Sequence, residues 1–151
     1  MTSQLSVGVL MFIAARDVEN RVIEAMRRAG VDDVTVAQAR VAARIGPHGT
    51  RLTDLAEQAQ VSKQTATALV DRLVAAGYVE RVPDPRDGRA RLVRFTPKGE
   101  AILPIARAEE AKVEREWESH LGARRMRELR ESLTLLREIT DPYQDAEADD
   151  S

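Results

Sequence analysis

Residues 62–99 read SKQTATALVDRLVAAGYVERVPDPRDGRARLVRFTPKG, and the period of their apolar pattern changes partway along. Ser62 stands where an N-cap belongs, because its hydroxyl can accept a backbone N–H that the start of a helix leaves unpaired. Behind it Ala66, Leu69, Val70 and Leu73 share one helical face, while Gln64, Thr67, Ala68 and Asp71 fall on the opposite one. Gly77 ends that helix. The runs Tyr78–Val82 and Arg89–Phe95 are then rich in β-formers and flank the turn residues Pro83-Asp84-Pro85-Arg86-Asp87-Gly88, which predicts a hairpin. Thr96-Pro97 follows as a cap and a proline suited to the first helical position, so the chain returns to helix.

Upstream, Leu52 to Ala76 reads as two short helices joined by a tight turn, with Thr53 capping the first, Asp54 in its opening turn and Ser62 capping the second. This is a helix-turn-helix pattern. Thr35-Val36-Ala37-Gln38 has the form of a capping box and opens a helix to about Ile45, closed by Gly46-Pro47-His48-Gly49. A longer helix is expected from about Leu5 to Arg28, with Met11, Ala15, Val18, Val22 and Met26 as its stripe and Gly30 as its stop. Val7, Val9, Leu10, Phe12 and Ile13 make its first two turns apolar nearly all round, so they need cover from more than one side, as a partner subunit would give.

Downstream, Ile102, Ile105, Val113, Trp117 and Leu121 trace an apolar side on which Trp117 serves as core or dimer contact. Pro104 must bend that helix or delay its regular start. Gly122 breaks the pattern, and Met126, Leu129, Leu133 and Leu136 form the stripe of a last helix. The fold class expected is mainly α with a small β-hairpin wing.

A chain of 151 residues, 43% hydrophobic and 32% charged, fits one globular domain, and the absence of any long apolar run predicts a soluble cytoplasmic protein without a membrane partner. Cysteine is absent, which removes disulfides, thiolate catalysis and thiol redox sensing. His48 and His120 stand apart with no ligand-spaced neighbours, so neither a metal nor another cofactor is expected. No nucleophile–base–orienter set and no glycine-rich phosphate loop occurs, which speaks against an enzyme.

The net charge of −2 hides a division along the chain. Residues 81–98 hold six basic side chains (Arg81, Arg86, Arg89, Arg91, Arg94, Lys98) against Asp84 and Asp87, a local +4. Residues 141–151 hold five acids and no base, and read as a disordered, solubilising tail. Nucleic-acid binding depends on where positive charge sits, and here it sits on the hairpin. With five aromatic residues in the chain, base stacking on single strands is not the mode. The outer face of the 62–76 helix is short and mostly uncharged, and amide and methyl groups of that kind suit a major groove.

In register, Leu69-Val70-Asp71-Arg72-Leu73-Val74-Ala75-Ala76-Gly77-Tyr78-Val79-Glu80-Arg81, Asp84-Pro85-Arg86-Asp87-Gly88-Arg89 and Phe95-Thr96-Pro97-Lys98-Gly99 closely resemble the MarR family of bacterial transcriptional regulators. The resemblance implies one domain over about 1–140, with a winged helix-turn-helix at about 34–99 and dimerisation helices at about 5–28 and 97–139. It implies a homodimer on a pseudo-palindromic double-stranded DNA site, acting most often as a repressor. Ser62, Lys63, Gln64, Thr65, Thr67 and Arg72 of the recognition helix, with Arg81, become DNA-facing. Arg86 and Arg89 become wing contacts, with Arg89 entering a minor groove and Asp87 bracing it. Asp71 is expected to pair with Arg72 or Arg81. Where many relatives have glycine in the helix-turn-helix turn, this chain has Gln60, which would have to adopt a left-handed conformation with some strain. The family also implies a small-molecule effector, often aromatic and anionic, for which Met11, Phe12, Ala15, Arg44 and His48 are the candidate lining. The competing class is a winged-helix interaction module, which predicts dispensable wing arginines and no salt-dependent DNA affinity.

Overall fold

Among residues 4–144, which the computed structural model describes, the elements run α1 (Val7–Arg28), α2 (Val36–Ala42), β1 (Thr50–Arg51), α3 (Leu52–Ala59), α4 (Lys63–Ala75), β2 (Val79–Asp84), β3 (Asp87–Phe95), α5 (Pro97–Glu100), α6 (Leu103–Leu121) and α7 (Ala123–Thr140). They fall into two compact units, one reaching to Glu110 and the other starting at Ala111.

In the first unit the ends of the helices follow from local chemistry. Ser6 caps α1 by accepting the Val9 amide. At the other end Gly30 takes a positive φ of 91°, so that the Val31 amide reaches the Met26 carbonyl and the Gly30 amide reaches that of Arg27. That double closure satisfies carbonyls the helix end would otherwise leave bare. The Thr35–Gln38 capping box forms as expected. The helix it opens stops at Ala42, short of Ile45, because the amides of Arg44 and Ile45 close onto Val41 and Ala42 in tighter turns and the Gly46 amide goes to the Thr50 hydroxyl.

One local expectation, the Thr53 cap, fails where an unforeseen strand forms. Thr50–Arg51 form a short strand beside β3, pairing with Val93 and Leu92, and the sheet order is β1-β3-β2. Because the chain leaves that strand directly into α3, Arg51 is the N-cap and Thr53 lies within the first turn, where its side chain caps nothing. Gln60 does adopt the left-handed conformation, with φ 56° and ψ 45°. Its amide side chain donates back to the Glu57 carbonyl at 2.7 Å, which offsets part of the strain.

The core of this unit joins Ile23 and Met26 of α1, Val34, Val41, Leu55, Ala59, Val70 and Leu73 of the helix-turn-helix region, and Tyr78, Val79 and Val93 of the wing base. Leu55 and Val70 are fully buried, and truncating Leu55 to alanine would cost about 2–5 kcal/mol. The same packing fixes which face of α4 points outward. Gly99 seats α5 against the base of the wing: a Cβ there would lie 2.0 Å from the Tyr78 carbonyl oxygen, so no side chain fits. Pro104 falls in the first turn of α6, which delays the start of that helix as expected.

In the second unit Val113 and Met126 are buried, and Arg130 on α7 pairs with Glu114 on α6 at 2.5 Å. Leu133 and Leu136, read as part of a covered stripe, are exposed at 43% and 39% within one chain. Asp141, expected at the start of the disordered tail, is instead engaged by Arg137 and by the Tyr143 amide, which closes a turn after α7. The remaining tail residues, 145–151, lie outside the described residues.

Candidate nucleic-acid interface

The start of α4 is built as a donor-rich edge. Ser62 accepts the Thr65 amide at 3.0 Å and donates its hydroxyl proton to Thr65 Oγ1 at 2.9 Å. Thr65 therefore keeps its own hydroxyl proton, and the amides of Lys63 and Gln64 remain outside the intrahelical ladder. Lys63, Gln64, Thr65, Ala68, Asp71 and Arg72 are exposed, while Ala66, Val70 and Leu73 are buried. The division of faces expected from the sequence holds except at Thr67 and Leu69, which are half-buried. Thr67 is half-buried and donates its hydroxyl to the Lys63 carbonyl at 2.8 Å, so its proton is spent inside the helix. A helix start with open amides and a lysine is an anion site in waiting, suited to a DNA phosphate.

Asp71 resolves in favour of Arg81, whose Nη2 donates to it at 2.5 Å. The pair ties the recognition helix to β2, so Arg81 acts here as a brace between elements. Arg72, on the exposed side of α4, forms no ion pair among the described residues. Across the hairpin, Arg94 and Glu80 sit directly opposite in register and pair at 2.8 Å.

The wing turns through Pro85-Arg86, with Asp84 and Asp87 paired at its base. Each of those aspartates accepts the amide two residues on: Asp84 Oδ1 from Arg86 at 2.9 Å, and Asp87 Oδ1 from Arg89 at 3.0 Å. Asp87 thus holds Arg89 through the backbone amide in the free chain, and its other oxygen lies toward Arg51 rather than toward the Arg89 guanidinium. The side chains of Arg86, Arg89 and Arg91 are exposed and form no ion pair among the described residues, although the Arg86 charge adds to the lowering of the Asp84 pKa.

Two residues that sequence reasoning passed over complete the wing. Asp84 is 6% exposed, and its Oδ2 accepts from Nε and Nη2 of Arg51 at 2.8 and 2.7 Å. The Arg86 amide first, and the Arg51 guanidinium next, hold the Asp84 carboxyl below the usual aspartate range against the opposing push of burial. Asp84-Pro85 did carry a turn signal, since Asp before Pro favours this side-chain-closed turn. Arg51 carried none: its partner lies 33 residues away.

The five residues read as an effector lining are exposed within one chain. Met11, Phe12 and Ala15 lie along α1, with Arg16 5.6 Å from the Phe12 ring centroid. Arg44 and His48 lie beyond α2, and the Arg44 charge helps Arg40 to lower the Glu19 pKa. A cavity of about 400 Å³ lies elsewhere in the first unit, against Asp33, Tyr78, Lys98, Ile102 and Ile105. There Tyr78 donates to Asp33, and burial first and that carboxylate second push the phenol up to about 12. Lys98 stands 4.5 Å above the Tyr78 ring and donates to the Ala76 carbonyl at 2.6 Å. Among the described residues no cluster of His, Asp and Glu is arranged to hold a metal, and no helix is long and apolar enough to cross a membrane.

Comparison with known proteins bears on this geometry. A sequence model described as the MarR family matches residues 32–90, which contain α2 to the wing tip. The multiple antibiotic resistance protein MarR of Salmonella typhimurium is 37% identical over 71 residues, covering 46% of this chain and 49% of that protein. The transcriptional activatory protein BadR of Rhodopseudomonas palustris is 40% identical over 58 residues, covering 38% and 33%. The chain thus spans a third to a half of the length of these curated relatives. Among solved structures, a cysteine-to-serine mutant of MarR from E. coli complexed with operator DNA aligns with a TM-score of 0.66 at 26% identity, over 86% of this chain and 92% of that one.

Proposed function

We propose that this chain, similar to the MarR family over residues 32–90, is a sequence-specific double-stranded-DNA-binding transcriptional regulator of that kind, a homodimer that represses by occupying a pseudo-palindromic site. The observation that carries the reading is the pairing of an open, lysine-bearing start of α4 with a wing whose tip backbone is fixed while Arg86 and Arg89 stay unneutralised. Phosphates suit the first, and the concentrated negative potential of a narrow A·T-rich minor groove suits the second. Lys63, Gln64, Thr65 and Arg72 are the major-groove and phosphate contacts in this reading; Ser62 and Thr67 hold the helix start, and Arg81 holds it to the wing.

The homodimer is supported by the start of α1, where Leu5, Val7, Val9, Leu10, Met11, Phe12 and Ile13 are all 39% exposed or more. So much contiguous apolar surface asks for a partner. A second copy covering it would turn Met11, Phe12 and Ala15 into the wall of an enclosed site, with Arg44 and His48 available to an anionic effector whose binding releases DNA. Two recognition helices related by a two-fold axis read half-sites about 34 Å apart. Selection from random duplex DNA by the purified protein tests the reading. An enriched palindrome with that half-site spacing, bound less tightly as salt rises, is the expected result, and no enrichment at low salt overturns it.

A further inference from the structure

We infer that Arg51 is a positioning residue for DNA binding, which through Asp84 and Asp87 sets the backbone from which the two wing-tip arginines project. The inference rests on the DNA-binding reading above and adds to it a residue outside both the recognition helix and the wing.

The argument starts from how the two tip aspartates divide their oxygens. Oδ1 of Asp84 accepts the Arg86 amide, and Oδ1 of Asp87 accepts the Arg89 amide. The other oxygen of each faces one guanidinium: Arg51 Nη2 is 2.7 Å from Asp84 Oδ2 and 4.0 Å from Asp87 Oδ2. Asp84 is thus oriented by Arg51 at one oxygen and fixes the Arg86 backbone with the other, while Asp87, which fixes the Arg89 backbone, feels the same guanidinium by charge attraction at 4.0 Å. The planar fork of arginine suits this, since Nε and Nη2 together define the direction of the Asp84 side chain as a point charge could not.

Arg51 also occupies the right place in the fold. It is the last residue of β1 and the N-cap of α3, so its backbone belongs both to the sheet and to the first helix of the helix-turn-helix. The clamp ties a hairpin tip, which otherwise projects into solvent, to the scaffold that carries α4. Wing and recognition helix then meet DNA in a fixed relation, and the ordering of the tip is achieved before binding. A plain phosphate contact by Arg51 is the competing account, and it makes opposite predictions. Asp84 would then be a rival for the same cation, and removing its charge would strengthen DNA binding.

The test uses the full chain and Arg51→Gln, Arg51→Lys and Asp84→Asn, the last of which keeps an oxygen for the Arg86 amide and adds no volume. Two measurements are made. In the free protein, hydrogen exchange at the Arg86 and Arg89 amides is expected to speed up about tenfold in each variant, while the Val70 and Leu73 amides of the core helix exchange as before. On the duplex enriched by the unmodified chain, each variant is expected to bind about tenfold more weakly, with the salt slope unchanged, the preference for A·T flanks lost and the double variant Arg51→Gln/Asp84→Asn no worse than either single one.

Combination with Arg89→Ala is expected to add little, because both act through the same arginine. A salt slope lower by about one in Arg51→Gln, with Asp84→Asn binding as tightly as the parent or tighter, would show a phosphate contact and overturn the inference. Unchanged exchange at Arg86 and Arg89 overturns it whether or not DNA is bound. If the parent chain enriches no duplex, the DNA-binding reading fails, and the exchange measurement still decides whether the clamp exists.

Discussion

The wing and the start of α1 both project from the first unit, and they are opposite kinds of surface. At the wing nearly every acidic group has a partner: Asp71 with Arg81, Glu80 with Arg94, Asp84 with Arg51. What is left over is a set of cations on a backbone held in place. At the start of α1 the exposed groups are apolar, with Phe12 60% and Val7 68% exposed. One surface is finished within the chain and waits for charge; the other is finished only when another apolar surface covers it. The lesson is that the two need different partners, one anionic and one apolar, so wing variants should lose DNA binding while self-association stays intact.

The strongest way to break that comparison is to charge the apolar surface. Leu10→Asp/Phe12→Asp is expected to weaken self-association about a thousandfold or more, about 4 kcal/mol, because a two-fold interface counts each change twice. Sedimentation equilibrium reads it, while the melting profile of the isolated subunit should keep its cooperativity. If the variant sediments as the parent does, α1 is not the covered face.

Next in size is the mounting of the wing. Gly99→Ala places a methyl against the Tyr78 carbonyl and is expected to lower stability by about 3 kcal/mol, read by denaturant melts. An unchanged midpoint would mean that α5 shifts freely against the strand.

A smaller effect comes from Tyr78, also at the base of the wing. Its pKa is raised above that of an unfolded tyrosine, so its contribution to stability is complete below pH about 10 and is lost as pH rises to about 12. Tyr78→Phe should cost about 1 kcal/mol at neutral pH, and that difference should vanish over pH 10–12 in alkaline denaturation. A constant gap across that range would show that the phenol does not titrate with folding.

The smallest effect expected is at Arg94→Ala, which removes an exposed cross-strand pair and should change stability by no more than about 1 kcal/mol. A larger loss would mean that the hairpin depends on this pair as it does on the buried Asp84.

Local chemistry made much of this legible in advance. Ser62, the Thr35–Gln38 box, Thr96-Pro97 and Pro104 act within four residues of themselves, and each does what its neighbours dictate. The hairpin and its exposed arginines were equally readable from turn and β-forming residues. What escaped depends on residues far apart in the chain. β1 exists only because β3 comes back beside it, and that strand in turn moved the cap of α3 from Thr53 to Arg51. The Arg51–Asp84 pair has the same origin. The brace expected from Asp87 to the Arg89 guanidinium takes, in the free chain, the form of a bond to the Arg89 amide, with the second oxygen turned toward a residue that the local sequence does not reveal, Arg51. An apolar lining for an effector was read from α1, whose exposed residues gain walls only if a second copy supplies them.

The central claim, that the fixed wing tip delivers an arginine to DNA, is tested most directly by the affinity of Arg89→Ala for the duplex that the parent chain enriches. A loss of about 1–3 kcal/mol, with weaker discrimination of A·T pairs at the flanks, is the predicted result. Binding of the same duplex with unchanged affinity and flank preference would contradict the account.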